Sequence, residues 1–539
     1  MTSSPRIAQH RDFFRPGRSP VHGLNGMAST SHPLATAAAV DVLRRGGNAV
    51  DAAVAAVAVL CVVEPGQTGI GGDCFWLLAP AGAGKVLSYN GSGTAPQAAS
   101  VATLKARLGA EVIPSRSPHA VTVPGTIDGW DHIVRQHGTK PLAELLEYAI
   151  AYAADGFPLQ ARIQQDITGQ AEKIREDAGL SGVFLKDGAF PAPGSLIRNP
   201  ALAESLRKIA RDGRAAYYEG PIGRSLAAFL AAKGGLHTAD DFARHRGMPT
   251  TPIHARFQGY DVFECPPNGQ GIIALMIMRM LEHLGPVPEG PGSGQRLHQL
   301  NEAARIAFAC RDAYLCDPAQ GGDPWAAFLD DRWTGPQARS IPADRMVDLS
   351  GRTEIPVHAD TTYLCVVDGK RNAVSFINSL FDGFGSGMMD PETGIVLHNR
   401  GQSFRLIEGH PNAIAPGKRP MHTIIPGMLL RDGRAVMPFG VMGGHFQPVG
   451  HAMLLANLFH YGMDLQAAID HPRIYPLNGT LWVEPTVDAA AVAHLKALGH
   501  PVDVRGEPVG GSQAIWIDPA TGILTGGSDS RKDGCALGF

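Results

Sequence analysis

The segment that most limits the fold is Thr361-Thr362-Tyr363-Leu364-Cys365-Val366-Val367-Asp368, which runs on through Gly369-Lys370-Arg371-Asn372 to Ala373–Asn378. The β-branched, aromatic and apolar residues of its first part favour a strand. Asp368 to Asn372 is turn chemistry, so the chain is expected to return over 373–378 as the second strand of a hairpin. Taken alone, this is a buried hairpin and nothing more.

At 539 residues, length alone suggests several domains. No Pro/Ser-rich linker, charge run or internal repeat divides the chain, so one continuous α/β core is expected. The hydrophobic fraction of 44% is that of a soluble globular protein. A formal net charge of -3 gives no electrostatic case for nucleic acid or an acidic membrane surface. The cysteines (61, 74, 265, 310, 316, 365 and 535) are odd in number and dispersed, which fits free thiols in a reducing compartment better than a disulfide framework. Residues 1–26 hold Arg6, Arg11, Arg15 and Arg18 without the apolar core of a signal peptide, and read as a flexible arm. The longest apolar run, Ala52–Val63, is too short to span a bilayer. A soluble cytoplasmic protein is therefore expected.

Local signals place a helix from Ser31-His32-Pro33 to Arg45, closed by Gly46-Gly47, and a second, capped by Asn48, that runs to about Val63. Strands are expected at Phe75–Leu78, Lys85–Tyr89, Phe257–Phe263 and Val436–Val441. Helices are expected across most of 128–240, at Gly271–Leu284 and Gln295–Leu315, and near 452–459 and 489–498. Residues 318–358 are polar and rich in Pro and Gly, and read as an exposed segment.

Several motifs fall in one order: Arg45-Gly46-Gly47-Asn48-Ala49-Val50-Asp51-Ala52-Ala53, Glu64-Pro65, Gly69-Ile70-Gly71-Gly72-Asp73, Val123-Pro124-Gly125, Asp360-Thr361-Thr362, Lys418-Arg419-Pro420, Gly443-Gly444 and Asp529-Ser530-Arg531-Lys532-Asp533-Gly534. Together, from about residue 27 to the C-terminus, they resemble the γ-glutamyltransferase family of N-terminal-nucleophile hydrolases. The resemblance implies an α/β (α+β), four-layer αββα sandwich made from a self-processed precursor. Its large subunit would be 27–360 and its small subunit 361–539, with a homodimer of that pair left open. It implies a small-molecule amide substrate and no cofactor or metal.

The same resemblance marks the Asp360–Thr361 bond for cleavage and Thr361 as the nucleophile. A threonine hydroxyl is weak until a base takes its proton. A freed α-amine, with a reference pKa of roughly 7.7–8.0, supplies that base on the same residue. The alternative for Thr361 is an ordinary strand threonine. Thr362 should face away from its neighbour by strand alternation. Ser379 matches the position whose hydroxyl supports the nucleophile, or is a plain strand serine. Gly443 and Gly444 match the oxyanion pair, since two glycines allow a turn that presents backbone N–H groups.

Departures from the family concern the substrate. The arginine that holds a glutamyl carboxylate falls on Ser92 here, before Ala95-Pro96. The positions that hold the glutamyl amine fall on Phe381, Arg400 and Ser403, and the family's Ser-Ser pair becomes His422-Thr423. Arg400 would repel an α-ammonium and could fork onto a carboxylate, or it is a surface residue. The engine thus reads as retained behind a pocket for a carboxylate-bearing acyl group without the amine, such as oxamate. The alternatives are a genuine γ-glutamyltransferase or glutathione hydrolase, a cephalosporin (glutaryl) acylase, and a non-catalytic binding relative. His422 and His445 read as hydrogen-bonding residues rather than metal ligands. Gly383-Phe384-Gly385-Ser386-Gly387 and Gly82-Ala83-Gly84-Lys85 are incomplete nucleotide motifs.

Overall fold

The computed structural model describes residues 11, 13–14, 16–322, 324–349 and 360–539; of Asp360 it describes the backbone. Residues 357–359, before the expected cleavage point, lie outside that range. In chain order, the strands of its two main sheets are β1 (Val21–Gly23), β2 (Gly26–Thr30), β3 (Asp73–Ala79), β4 (Leu87–Gly91), β5 (Met248–Thr250), β6 (Ile253–Phe257) and β7 (Tyr260–Glu264). They continue as β8 (Asp360–Asp368), β9 (Ala373–Phe381), β10 (Gly427–Arg431), β11 (Arg434–Met442), β12 (Gly511–Ile517), β13 (Leu524–Ser528) and β14 (Cys535–Gly538). The helices used below are α1 (Pro33–Arg44), α2 (Ala49–Val63), α3 (Ala161–Gly169), α4 (Gly271–Leu284), α5 (Gly294–Tyr314) and α6 (Gln447–Phe459).

One sheet has the order β14-β2-β8-β9-β3-β4-β5, and the other β1-β13-β12-β11-β10-β7-β6. The expected hairpin is thus real and central: β8 lies between β2 and β9, and β9 between β8 and β3, all antiparallel. Strand alternation builds the layers. Leu364 and Val366 point to one side, into a core with α1 and α2. Tyr363, Cys365 and Val367 point to the other, against Met428, Met442 and Ile515 of the second sheet. The far side of that sheet is covered by α4, α5 and α6. The expected order of helix, sheet, sheet, helix is therefore observed. Gly440 lets the sheets close, because a Cβ there would sit 2.4 Å from the Tyr363 ring.

The first two helices form as the capping signals predict, and the side chain that caps α1 is that of His32. Asn48 and Asp51 make a full capping box on α2. Three readings change. Phe257–Phe263 is a tight hairpin, not one strand: Gln258 and Gly259 both take positive φ, 50° and 82°, and turn the chain between β6 and β7. Residues 318–339 carry three short helices, and Trp325 is buried against the α4–α5 core. The N-terminal arm ends earlier than expected, since Val21–Gly23 already pairs with β13.

Candidate active site

Thr361 and Thr362 stand near the start of β8, where the register with β9 shifts between Asp360 and Thr362. Such an irregularity re-aims side chains at the end of a ladder. Thr361 Oγ1 lies 3.2 Å from Ser379 Oγ. Thr362 instead donates to the Asn378 carbonyl, 3.3 Å away. Both threonines are buried. Ser379 Oγ also accepts from the Phe381 N–H at 2.8 Å and from Arg400 Nη2 at 3.4 Å. Two donors are thus aimed at the oxygen that faces Thr361.

Arg400 is fully buried in the 3-10 turn Arg400–Ser403, so the surface alternative is gone. Its Nη1 donates to Thr423 Oγ1 at 2.7 Å, and its guanidinium lies over the Phe381 ring at 3.8 Å. No described carboxylate is within ion-pair distance, and its Nε has no partner among the described residues. Burial pulls the guanidinium down to about 9, which leaves it a cation at neutral pH; Asp73 and Asp382 act on it only from a distance. Phe381 takes φ 82°, rare for a bulky side chain, and the Ser379 and Arg400 contacts hold it there.

His422 turns away from this group. Its Nε2 is 3.0 Å from Asp73 Oδ2, and its Nδ1 accepts from the Ile424 N–H. Burial pushes the imidazole down to about 3, so it is neutral, with its proton on Nε2. Asp73 also accepts from the Gly93 and Gly125 N–H groups. Burial opposes its charge, but His398, His422 and Arg400 outweigh that and hold it at about 2. Ser92 is used up in the same scaffold: its hydroxyl donates to Asn90 Oδ1 at 2.6 Å and accepts from Asn268. It hydrogen-bonds to none of Thr361, Ser379 and Arg400. Ser403 Oγ is buried without a partner among the described residues, in a small chamber lined by Phe381, Arg311 and His445.

Gly443 (φ 119°) and Gly444 (φ 58°) turn the chain out of β11. The Gly444 carbonyl accepts from Gln270 Nε2 at 3.0 Å, as does that of Thr423 at 2.7 Å. Gly443 lines a cleft of about 340 Å³ with Gln67, Phe446, Trp482, Arg505 and Lys532.

Sequence reading missed Gln67, which lies between two of the motif fragments. Its Oε1 accepts from the Thr361 N–H and from Lys532 Nζ, each at 3.3 Å, while its Nε2 donates to Asp166 Oδ2 at 3.1 Å. Asp166 on α3 is held in turn by Arg162 at 2.7 Å. Because one end of the amide meets a carboxylate and the other two N–H donors, its orientation is fixed. Nothing in the local sequence around Gln67 could reveal contacts to residues hundreds of positions away.

Two other candidates take ordinary roles. In Gly383–Gly387, Lys173 Nζ binds the Gly383 and Gly385 carbonyls, and the N–H groups of residues 384–387 donate to the chain itself, so no phosphate cradle is left. Among the described residues, His298, Glu302 and His500 could together offer three metal-ligand atoms. They are already engaged: Asn301 meets His500 Nδ1, His500 Nε2 meets His298 Nδ1 at 2.8 Å, His298 Nε2 meets the Pro342 carbonyl, and Arg305 holds Glu302.

Comparison with known proteins agrees with this architecture. The family profile described as Gamma-glutamyltranspeptidase matches residues 35–539. The Glutathione hydrolase-like YwrD proenzyme of Bacillus subtilis (strain 168) is 37% identical over 536 residues, covering 96% of this chain and 99% of that one. The Oxamate amidohydrolase proenzyme of Klebsiella pneumoniae subsp. pneumoniae is 38% identical over 533 residues, covering 96% and 98%. The crystal structure of cephalosporin acylase from Bacillus halodurans superposes with a TM-score of 0.91 at 34% identity, covering 98% of this chain and 99% of that one. The match spans both sheets and both helical layers, and on that ground the chain belongs to the gamma-glutamyltranspeptidase family.

Proposed function

We propose that the protein is a self-cleaving amidohydrolase with Thr361 as its nucleophile, acting on a small amide whose acyl part carries a carboxylate, as oxamate does. In the first step Thr361 Oγ attacks the Asp360 carbonyl and the peptide shifts to an ester. Water then hydrolyses that ester, leaving a carboxylate on Asp360 and a free amine on Thr361. In turnover the amine takes the hydroxyl proton as Oγ attacks the substrate carbonyl. The oxyanion faces the N–H groups of Gly443 and Gly444. The proton passes to the leaving nitrogen, the amine or ammonia departs, and water releases the acid. The cut leaves residues 1–360, which hold the 27–360 large subunit, and 361–539 as the two chains.

The observation that carries the substrate class is Arg400, a buried cation without an ion-pair partner among the described residues, bonded to the hydroxyls of Ser379 and Thr423 beside Thr361. A substrate carboxylate would supply the missing counter-charge and accept from the fork. The same cation disfavours the α-ammonium of a glutamyl donor. The relative named for oxamate points the same way.

Intact mass and ammonia release test the reading together. The purified protein is expected to run as two chains, the smaller beginning at Thr361, and to release ammonia from oxamate. Thr361→Ala should remain one chain of 57.0 kDa without turnover. Efficient cleavage of γ-glutamyl anilide with no action on oxamate rejects the pocket assignment.

A second reading has one observation in its favour. The cleft of about 340 Å³ on the Gln67 side is larger than ammonia needs, and would suit an amide of a bulky amine, as an acylase requires. Faster turnover of a glutaryl amide of a bulky amine than of oxamate would favour it. The odd number and dispersed positions of the cysteines support a cytoplasmic location, which cell fractionation checks.

A further inference from the structure

Lys532 is an unusual place for a charge. It ends the 3-10 turn Ser530–Lys532, its side chain is only 8% exposed, and its stem lies against Gly511. No described carboxylate comes within ion-pair distance of its ammonium, which among the described residues donates to Gln67 Oε1. That oxygen's second donor is the backbone nitrogen of Thr361, at the same 3.3 Å. Both lone pairs of the amide oxygen are therefore in use, and the two nitrogens lie no more than twice that distance apart.

We infer that Gln67 and Lys532 prepare the freed amine of Thr361 to act as a base, Gln67 by orienting it and Lys532 by keeping it unprotonated near neutral pH. The inference rests on Thr361 being the new N-terminus. In the uncut chain the Thr361 nitrogen is a peptide N–H that donates to Gln67 Oε1. After cleavage the amine can keep that bond with one hydrogen and turn its lone pair toward its own hydroxyl. A protonated amine would place a second positive charge a few ångströms from the Lys532 ammonium. A like charge at that range disfavours ionisation and lowers the pKa of the amine by about one unit or more.

The other charged groups around this point do not cancel the effect. Asp166 is reached only through Gln67 Nε2 and is already paired with Arg162. Arg400 lies behind Ser379 and adds positive charge. Glu64, at the end of α2, also acts on Lys532; burial pushes its carboxyl up to about 7, so at neutral pH it carries only part of a negative charge, and Glu507 lines the same cleft together with the oppositely charged Arg505. Gln67 touches a reacting atom and is a catalytic residue in this scheme. Lys532 acts through space on the amine and is a positioning residue.

The test titrates the amine itself. The cleaved enzyme is labelled with an amine-acylating reagent across pH 5–10, and the modified fraction of the peptide beginning at Thr361 is read by mass spectrometry, separately from the peptide holding Lys532. In the parent the midpoint should lie below the usual 7.7–8.0 of an α-amine. In Lys532→Met it should rise by about one unit, and the acid limb of kcat/KM for ammonia release from oxamate should move with it. Lys532→Arg should restore the parent midpoint, which a merely structural role would not require. A Lys532→Met midpoint equal to the parent's would overturn the inference. So would a parent midpoint at or above 8.0, a result that needs no variant. If the parent shows no chain beginning at Thr361, the nucleophile assignment fails first, and this inference fails with it.

Discussion

Arg400 and Glu64 are both buried ionisable groups, but they act in opposite ways. Arg400 is held by hydroxyls and an aromatic face rather than by an acid, so its charge is available to a ligand. Removing one partner of a buried charged pair costs roughly 2–5 kcal/mol. Arg400→Met is therefore expected to lower kcat/KM for oxamate by about 100-fold or more while leaving folding intact; unchanged turnover would dismiss the clamp. Glu64 has an oxygen without a partner among the described residues, and burial raises its carboxyl to about 7. Between the ordinary carboxyl range and that value, the folded protein keeps a proton that the unfolded chain has released. Its contribution to stability is thus full at acid pH and is lost as pH rises through about 7. Relative to Glu64→Gln, the parent should lose on the order of 1–3 kcal/mol between pH 5 and pH 8, measured by urea unfolding at each pH. A constant gap would contradict this. Thr361, Ser379 and Arg400 are singled out by their motif positions, and the structure brings them together. Gln67 lies between the motifs, and although Lys532 lies within the Asp529–Gly534 one, its contact with Gln67 arises only when α3, β8 and the C-terminal turn meet.

Elements were legible wherever local chemistry decides them. The α2 start is an example: Asn48 Oδ1 accepts from Val50 and Asp51 N–H, and Asp51 Oδ2 accepts from the Asn48 N–H. Asp51 also receives the N–H groups of Thr139 and Lys140 and the Thr139 hydroxyl, which ties a distant loop to the helix. Asp51→Ala would leave these part-buried donors without their acceptor, so a loss of about 1–2 kcal/mol is expected in urea unfolding. Asp51→Asn, which keeps an acceptor, should lose less; equal losses would show that the box and tether do not matter. Elements were misread where tertiary packing decides. Gln258 is not a typical turn former, yet its positive φ splits the stretch into two strands. The polar 318–339 stretch is helical because Trp325 finds a core.

At the scale of the whole molecule, segments from before and after residue 361 alternate across the sheets. In the first, β14, β8 and β9 come from the later part and β2, β3, β4 and β5 from the earlier part, with β2 held between β14 and β8. In the second, β1, β6 and β7 of the earlier part flank β10–β13 of the later part on both sides. The cut protein is therefore expected to elute as one species in native size-exclusion chromatography and to separate only in denaturant. Two peaks under native conditions would contradict it. The four-layer order could be anticipated only through the family resemblance, since no local signal states which strands are neighbours.

The register shift at the head of β8 has a temporal consequence. Thr361 meets the Ser379 hydroxyl across the β8–β9 pair, and β2 and β3 flank that pair in the closed sheet. If Thr361 makes the cut, scission is expected to follow assembly, like a seal broken after the vessel is shut, and fragments synthesised apart would lack the tether that threads their interleaved strands into register.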